Sequence, residues 1–133
     1  MFNPKFKILL LLALVLVINA CKKSVTPLNE SLLINEWIEK YEDRQSYLFK
    51  FVPISTKFED NTIFRKVLKF QKPNVLSITF LGRSGKTITS TGTWRIVSND
   101  ILELNYDNDY VPNFIQKFQI EVIANSELRI LEL

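Results

Sequence analysis

The sequence contains no histidine and a single cysteine in 133 residues. An intrachain disulfide is therefore excluded, as are a Cys/His zinc site and any nucleophile activated by a histidine base. Ser84 and Ser90 have no imidazole to activate them, and Lys86 alone does not make a Ser–Lys dyad. No two acidic residues are spaced to announce a general acid–base pair. No catalytic residue is assigned, and the chain is read as a non-enzyme without a cofactor. Two partial motifs lack their defining residues. Gly82-Arg83-Ser84-Gly85-Lys86-Thr87 resembles the end of a phosphate-binding loop, but Phe80 stands where the motif requires glycine, and a strand pattern follows instead of a helix. Asp107, Asn108 and Asp109 lack the sixth-position glycine and distal glutamate of a calcium loop, so no metal site is assigned. Tyr106 and Tyr110 flank this loop and are candidates for a barrel rim.

A membrane-spanning run is also missing. Ile8 to Ile18 is eleven consecutive aliphatic residues, well short of the roughly 20 a spanning helix needs. Behind the basic Lys5 and Lys7 it fits the apolar core of a secretion signal over residues 1–20. Ile18-Asn19-Ala20-Cys21 closes it and resembles a bacterial lipobox. That resemblance implies a diacylglyceryl thioether on Cys21, cleavage on its amino side and acylation of the freed amine. Two or three chains, at about 0.8 kcal/mol per buried methylene, give a durable anchor. Lys22 and Lys23 suit anionic headgroups, and residues 21–31 hold the lipidated cysteine and a tether. By analogy with bacterial sorting rules, the absence of Asp at +2 points to the outer membrane. The absence of an acidic run after Cys21 points to its periplasmic face. Of 17 basic and 14 acidic residues, Lys5 and Lys7 belong to the signal. The remaining chain is near neutral at +1 and offers no field for a nucleic-acid backbone.

What remains, residues 32–133, has the length of one domain. Hydrophobic residues make up 47% of the sequence and charged ones 23%, a composition that folds. Leu28 to Glu42 is ambiguous: Leu33, Trp37 and Tyr41 recur at helical spacing, while Trp37, Glu39 and Tyr41 also alternate. It is assigned as a short helical turn at Glu30–Ile34 and a strand at Asn35–Glu42. Strands are predicted at Tyr47–Val52, Ile63–Gln71, Val75–Leu81, Lys86–Val97, Ile101–Tyr106, Phe114–Ile123 and Glu127–Leu133. In Lys86–Val97, Thr87, Thr89, Thr91 and Thr93 share an outer face, because a β-branched hydroxyl residue suits a solvated strand. Short connections pair sequential strands antiparallel. Eight such strands close into an all-β, up-and-down barrel, which removes exposed edges.

The early Trp37 in Asn35-Glu36-Trp37, the Gly92-Thr93-Trp94 hairpin strand and the late Arg129 resemble the lipocalin-like lipoproteins of Bacteroidota, a calycin-type family. Asn35 takes the place of the family's glycine. The resemblance implies a barrel-closing cation–π pair between Trp37 and Arg129. It also implies non-catalytic binding of a small apolar ligand at the open end, or, with a filled barrel, an interaction with an envelope protein. The inward set is expected to be Trp37, Phe49, Phe51, Phe70, Leu76, Ile78, Phe80, Trp94, Ile96, Leu102, Leu104, Phe118, Ile120 and Val122. Candidate interior or ligand residues are Trp37, Lys66, Phe80, Ser90, Gly92, Trp94 and Phe118. Any cavity is expected beside Ser90 and Gly92, the small inward positions. Lys66, on the face shared with Phe64, Leu68 and Phe70, either lines a polar interior spot or is redirected by a bulge.

Overall fold

The computed structural model describes residues 28–133. The signal segment, Cys21 and residues 22–27 lie outside the described residues. Eight antiparallel strands form a closed barrel: β1 (Glu36–Glu39), β2 (Leu48–Pro53), β3 (Val67–Gln71), β4 (Val75–Leu81), β5 (Thr87–Ser98), β6 (Ile101–Tyr106), β7 (Phe114–Ala124) and β8 (Glu127–Glu132). Two 3₁₀ turns, Glu30–Leu32 and Tyr41–Asp43, are the remaining regular elements among the described residues.

The expected barrel is present, with one exchange in its order. Strands β3 to β8 form a meander, but β1 lies between β2 and β3, and β2 closes the barrel against β8. The exchange falls where the connection is longest. Strand β2 ends at Pro53 opposite Trp37, and β3 begins at Val67 opposite Ile38. Residues 54–66 must therefore run back along β1, and with the interior packed they pass over its outer face, where Ile38 and Phe58 line one surface groove. Arg65 pins this crossing. It is buried, donates to Glu42 Oε2 at 2.7 Å and to Glu42 Oε1, reaches the carbonyls of Glu39 and Asp60 at 3.3 Å, and stacks 3.7 Å over Phe58. The Ile63–Gln71 strand is accordingly shorter than its alternation suggests, because Ile63 to Lys66 belong to the crossing. The Asn35–Glu42 strand stops at Glu39, where the 3₁₀ turn begins with Asp43 N–H donating to Lys40 O at 3.0 Å.

Strand direction gives the barrel two poles. The segment leading into β1 lies at one pole, where Trp37, fully buried, donates from its indole N–H to Leu33 O at 3.1 Å. Trp94 donates to Gln71 O at 3.1 Å beside the β3–β4 turn and meets Phe70 edge to face at 5.7 Å. These rings, with Leu33 and Leu76, seal that pole. Apolar alternation built this core as expected: Phe49, Phe51, Leu102, Leu104, Phe118 and Ile120 are all buried. Val122 is the exception. A register shift between Ile120 and Val122 inserts one extra residue, so Ile123 packs on the core opposite Leu128 while Val122 pairs with Arg129 on the outer face.

Candidate functional site

The opposite pole is open. It gathers the ends of β1, β4 and β6 and the approach to β3 around a cavity of about 490 Å³ lined by Glu39, Tyr41, Arg44, Phe64, Lys66, Phe80, Tyr106 and Tyr110, among others. That volume lies in the range of about 300–1,000 Å³ typical of small-molecule sites. Below it the interior is filled. The void between Phe49, Phe51, Leu68, Ile78, Leu104 and Phe118 is about 10 Å³, room for at most one water. Lys66 borders both spaces and so forms the floor of the mouth.

The walls are aromatic and mutually braced. Tyr106 meets Phe114 edge to face at 5.7 Å and Phe80 at 6.0 Å. Its hydroxyl donates to Gln116 Oε1 at 3.1 Å, and Gln116 Nε2 donates to Glu132 at 2.6 Å. Burial, reinforced by the charge of Glu132, pushes the Tyr106 phenol up to about 12, so it stays neutral. Tyr110 forms part of the lip, with the Arg83 guanidinium 3.6 Å over its ring.

Three charges define the floor. Glu39 is buried at 2% exposure and accepts from Arg44 Nε at 2.7 Å and Nη2 at 2.5 Å. Arg44 also lies 4.9 Å over the Phe49 ring and 4.8 Å over Tyr41. This pair neutralises itself. Lys66 is different: its Nζ lies 5.4 Å over Phe49, and among the described residues it has no hydrogen-bond partner and no carboxylate within 4.0 Å. Burial lowers its pKa, opposed by the charges of Glu39 and Glu132 and assisted by that of Arg44.

Of the residues expected at a site, Lys66 and Phe80 are brought together at the mouth. Lys66 lines the interior without a bulge to redirect it. Trp37 and Trp94 belong to the closed pole, and Phe118 packs edge to face on Phe49 at 6.2 Å within the filled centre. Ser90 and Gly92 line neither the mouth nor the interior void. At Gly92 strand β6 closes on β5 so tightly that a Cβ would lie 2.0 Å from the Asn105 carbonyl oxygen. The small residue there permits a close backbone approach and leaves no cavity. The barrel-closing pair is not formed. Arg129 alternates with the buried Leu128 and Ile130, so it points outward, where it donates to Glu127 at 2.5 Å. Trp37 points inward from β1.

Tyr41, Arg44 and Glu39 were not singled out from the sequence. Glu39 shares the parity of Trp37, a signal that places it inside. The two partial motifs are turns. Gly82 N–H donates to Lys86 O at 2.9 Å, and β5 follows directly. Asp107, Asn108 and Asp109 spend their side-chain oxygens on backbone N–H groups of Asn113, of Tyr110 and Val111, and of Arg83.

Fold and site together define a small closed β-barrel, sealed at one pole and open at an aromatic mouth with a cationic floor. Comparison with protein-family models, with curated proteins and with solved structures returns no match for this chain.

Proposed function

We propose that this protein is a non-catalytic, lipid-anchored binding module of the bacterial envelope, of lipocalin-like kind, which holds a small ligand with an apolar body at the mouth of its barrel. The observation that carries the reading is the cavity of about 490 Å³ walled by Phe64, Phe80, Tyr106 and Tyr110 at one pole of an otherwise packed barrel. The sequence supports the remainder: the lipobox-like segment ending at Cys21 implies a lipid anchor, at the outer membrane facing the periplasm. Leu28 packs on the core and the turn at Glu30–Leu32 lies at the closed pole. The tether therefore joins the barrel at the end away from the mouth.

A second reading has its own support. The filled centre, with a void of about 10 Å³, suits a barrel that serves as a rigid platform for an envelope protein. Native mass spectrometry separates the two. Residues 22–133 would be secreted behind a cleavable signal, since the barrel is complete within 28–133. A reproducible added mass, lost on organic extraction, is the expected result. A bare mass, with no binding across a panel of small lipids and aromatic acids, would favour the platform.

A further inference from the structure

The floor of the mouth has a chemical preference that its walls do not. Lys66 is half-buried, and an ammonium partly withdrawn from water without a carboxylate in contact is disfavoured, because the lost solvation is not offset by an ion pair. The two other charges at the floor, Arg44 and Glu39, already satisfy one another. Asp109 at the lip is engaged by the Arg83 backbone N–H at 2.6 Å. Glu132, held by Gln116 Nε2 at 2.6 Å, acts on Lys66 only from beyond ion-pair contact, so Lys66 leaves one ammonium without a contacting carboxylate at the bottom of an aromatic cup. A ligand that entered with a single negative charge would neutralise it. A dianion would carry a surplus charge into an apolar space, and a neutral ligand would leave the ammonium as it is.

We propose that the mouth binds a small amphiphilic monocarboxylic acid, its carboxylate on Lys66 Nζ and its apolar body between Phe64, Phe80, Tyr106 and Tyr110. The inference rests on reading the mouth as a ligand site and adds the class of ligand. No bond is made or broken; binding is an ion pair formed at the floor of a half-enclosed cup, where the aromatic walls and the ligand's own apolar body keep water from it and strengthen it relative to a surface pair.

The test compares acids with their alcohols. Octanoate and 3-phenylpropanoate, with octan-1-ol and 3-phenylpropan-1-ol, would be titrated calorimetrically at pH 7 against the wild type, Lys66→Met and Lys66→Arg. Thermal melting would confirm that each variant is folded. We expect both acids to bind the wild type at least tenfold more tightly than their alcohols, Lys66→Met to erase that difference, and Lys66→Arg to keep most of it. Acids and alcohols binding the wild type equally, or a preference for acids that survives in Lys66→Met, would overturn the charge assignment while leaving the mouth as a ligand site. Failure of both acids and both alcohols to bind the wild type would overturn the proposal and the ligand-site reading together.

Discussion

Lys66 and Arg65 are neighbours in sequence with opposite electrostatic situations, and each gives a pH-dependent prediction. Burial holds the folded-state pKa of Lys66 below its ordinary value. Between the folded and unfolded values the unfolded chain carries a proton that the folded chain has released. Stability of the wild type therefore rises with pH through that window. Lys66→Met removes the penalty, so it should be more stable than the wild type at neutral pH. The advantage should shrink as pH climbs through the folded pKa toward the unfolded one. Urea midpoints between pH 7 and 11 measure it, and a variant less stable than the wild type at pH 7 would show that the ammonium has a stabilising partner. Arg65 acts the other way. Its guanidinium pulls the Glu42 carboxyl down to about 2 from 4.5. That contribution is complete above the unfolded pKa and is lost as pH falls through about 2. Arg65→Met should destabilise the protein at pH 7, and its deficit should narrow between about pH 4.5 and 2. A deficit independent of pH would assign the effect to the stacking on Phe58 instead.

At the scale of elements, alternation was the most legible signal, and it was read correctly wherever the ladder was regular. Strand β5 is the clearest case: its four threonines are exposed, and Trp94, which follows the last of them, is buried. The Trp94 ring fills the closed pole against Phe70, so Trp94→Ala should cost about 3–5 kcal/mol in chemical denaturation; a loss under about 1 kcal/mol would contradict the packing described. Gly92→Ala should also destabilise, by at least about 1–3 kcal/mol, because the new methyl meets backbone that has nowhere to go. Where the expectations failed, a specific cause intervened. One inserted residue near Glu121 reversed the facing of Val122 and Ile123. Arg129 sits between two inward residues, so alternation alone puts it outside; the family analogy overrode that pattern. The exchange of β1 and the mouth itself were illegible for a different reason. They depend on contacts distant in sequence, such as Arg65 with Glu42, which no local period encodes.

On the scale of the whole molecule, the two poles divide the labour. The closed pole carries the indole rings and receives the chain from its amino-terminal side, while the open pole carries Lys66 and the aromatic lip. If Cys21 bears the lipid, the anchor attaches through the closed pole and the mouth stays clear of the bilayer. Anchoring and binding should then be separable. Cys21→Ser should abolish labelling by a palmitate analogue, since the thioether that directs lipidation has no thiol to form on. Labelling that persists in the variant would refute Cys21 as the lipid site. Octanoate affinity, compared between the lipidated wild type in vesicles and the lipid-free residues 22–133, should agree within about twofold, because no residue of the mouth would change its surroundings. A tenfold difference would mean that the lip of Tyr110 and Leu81 lies against the membrane. The barrel would then be inverted on its tether, with the bilayer as one wall of the site.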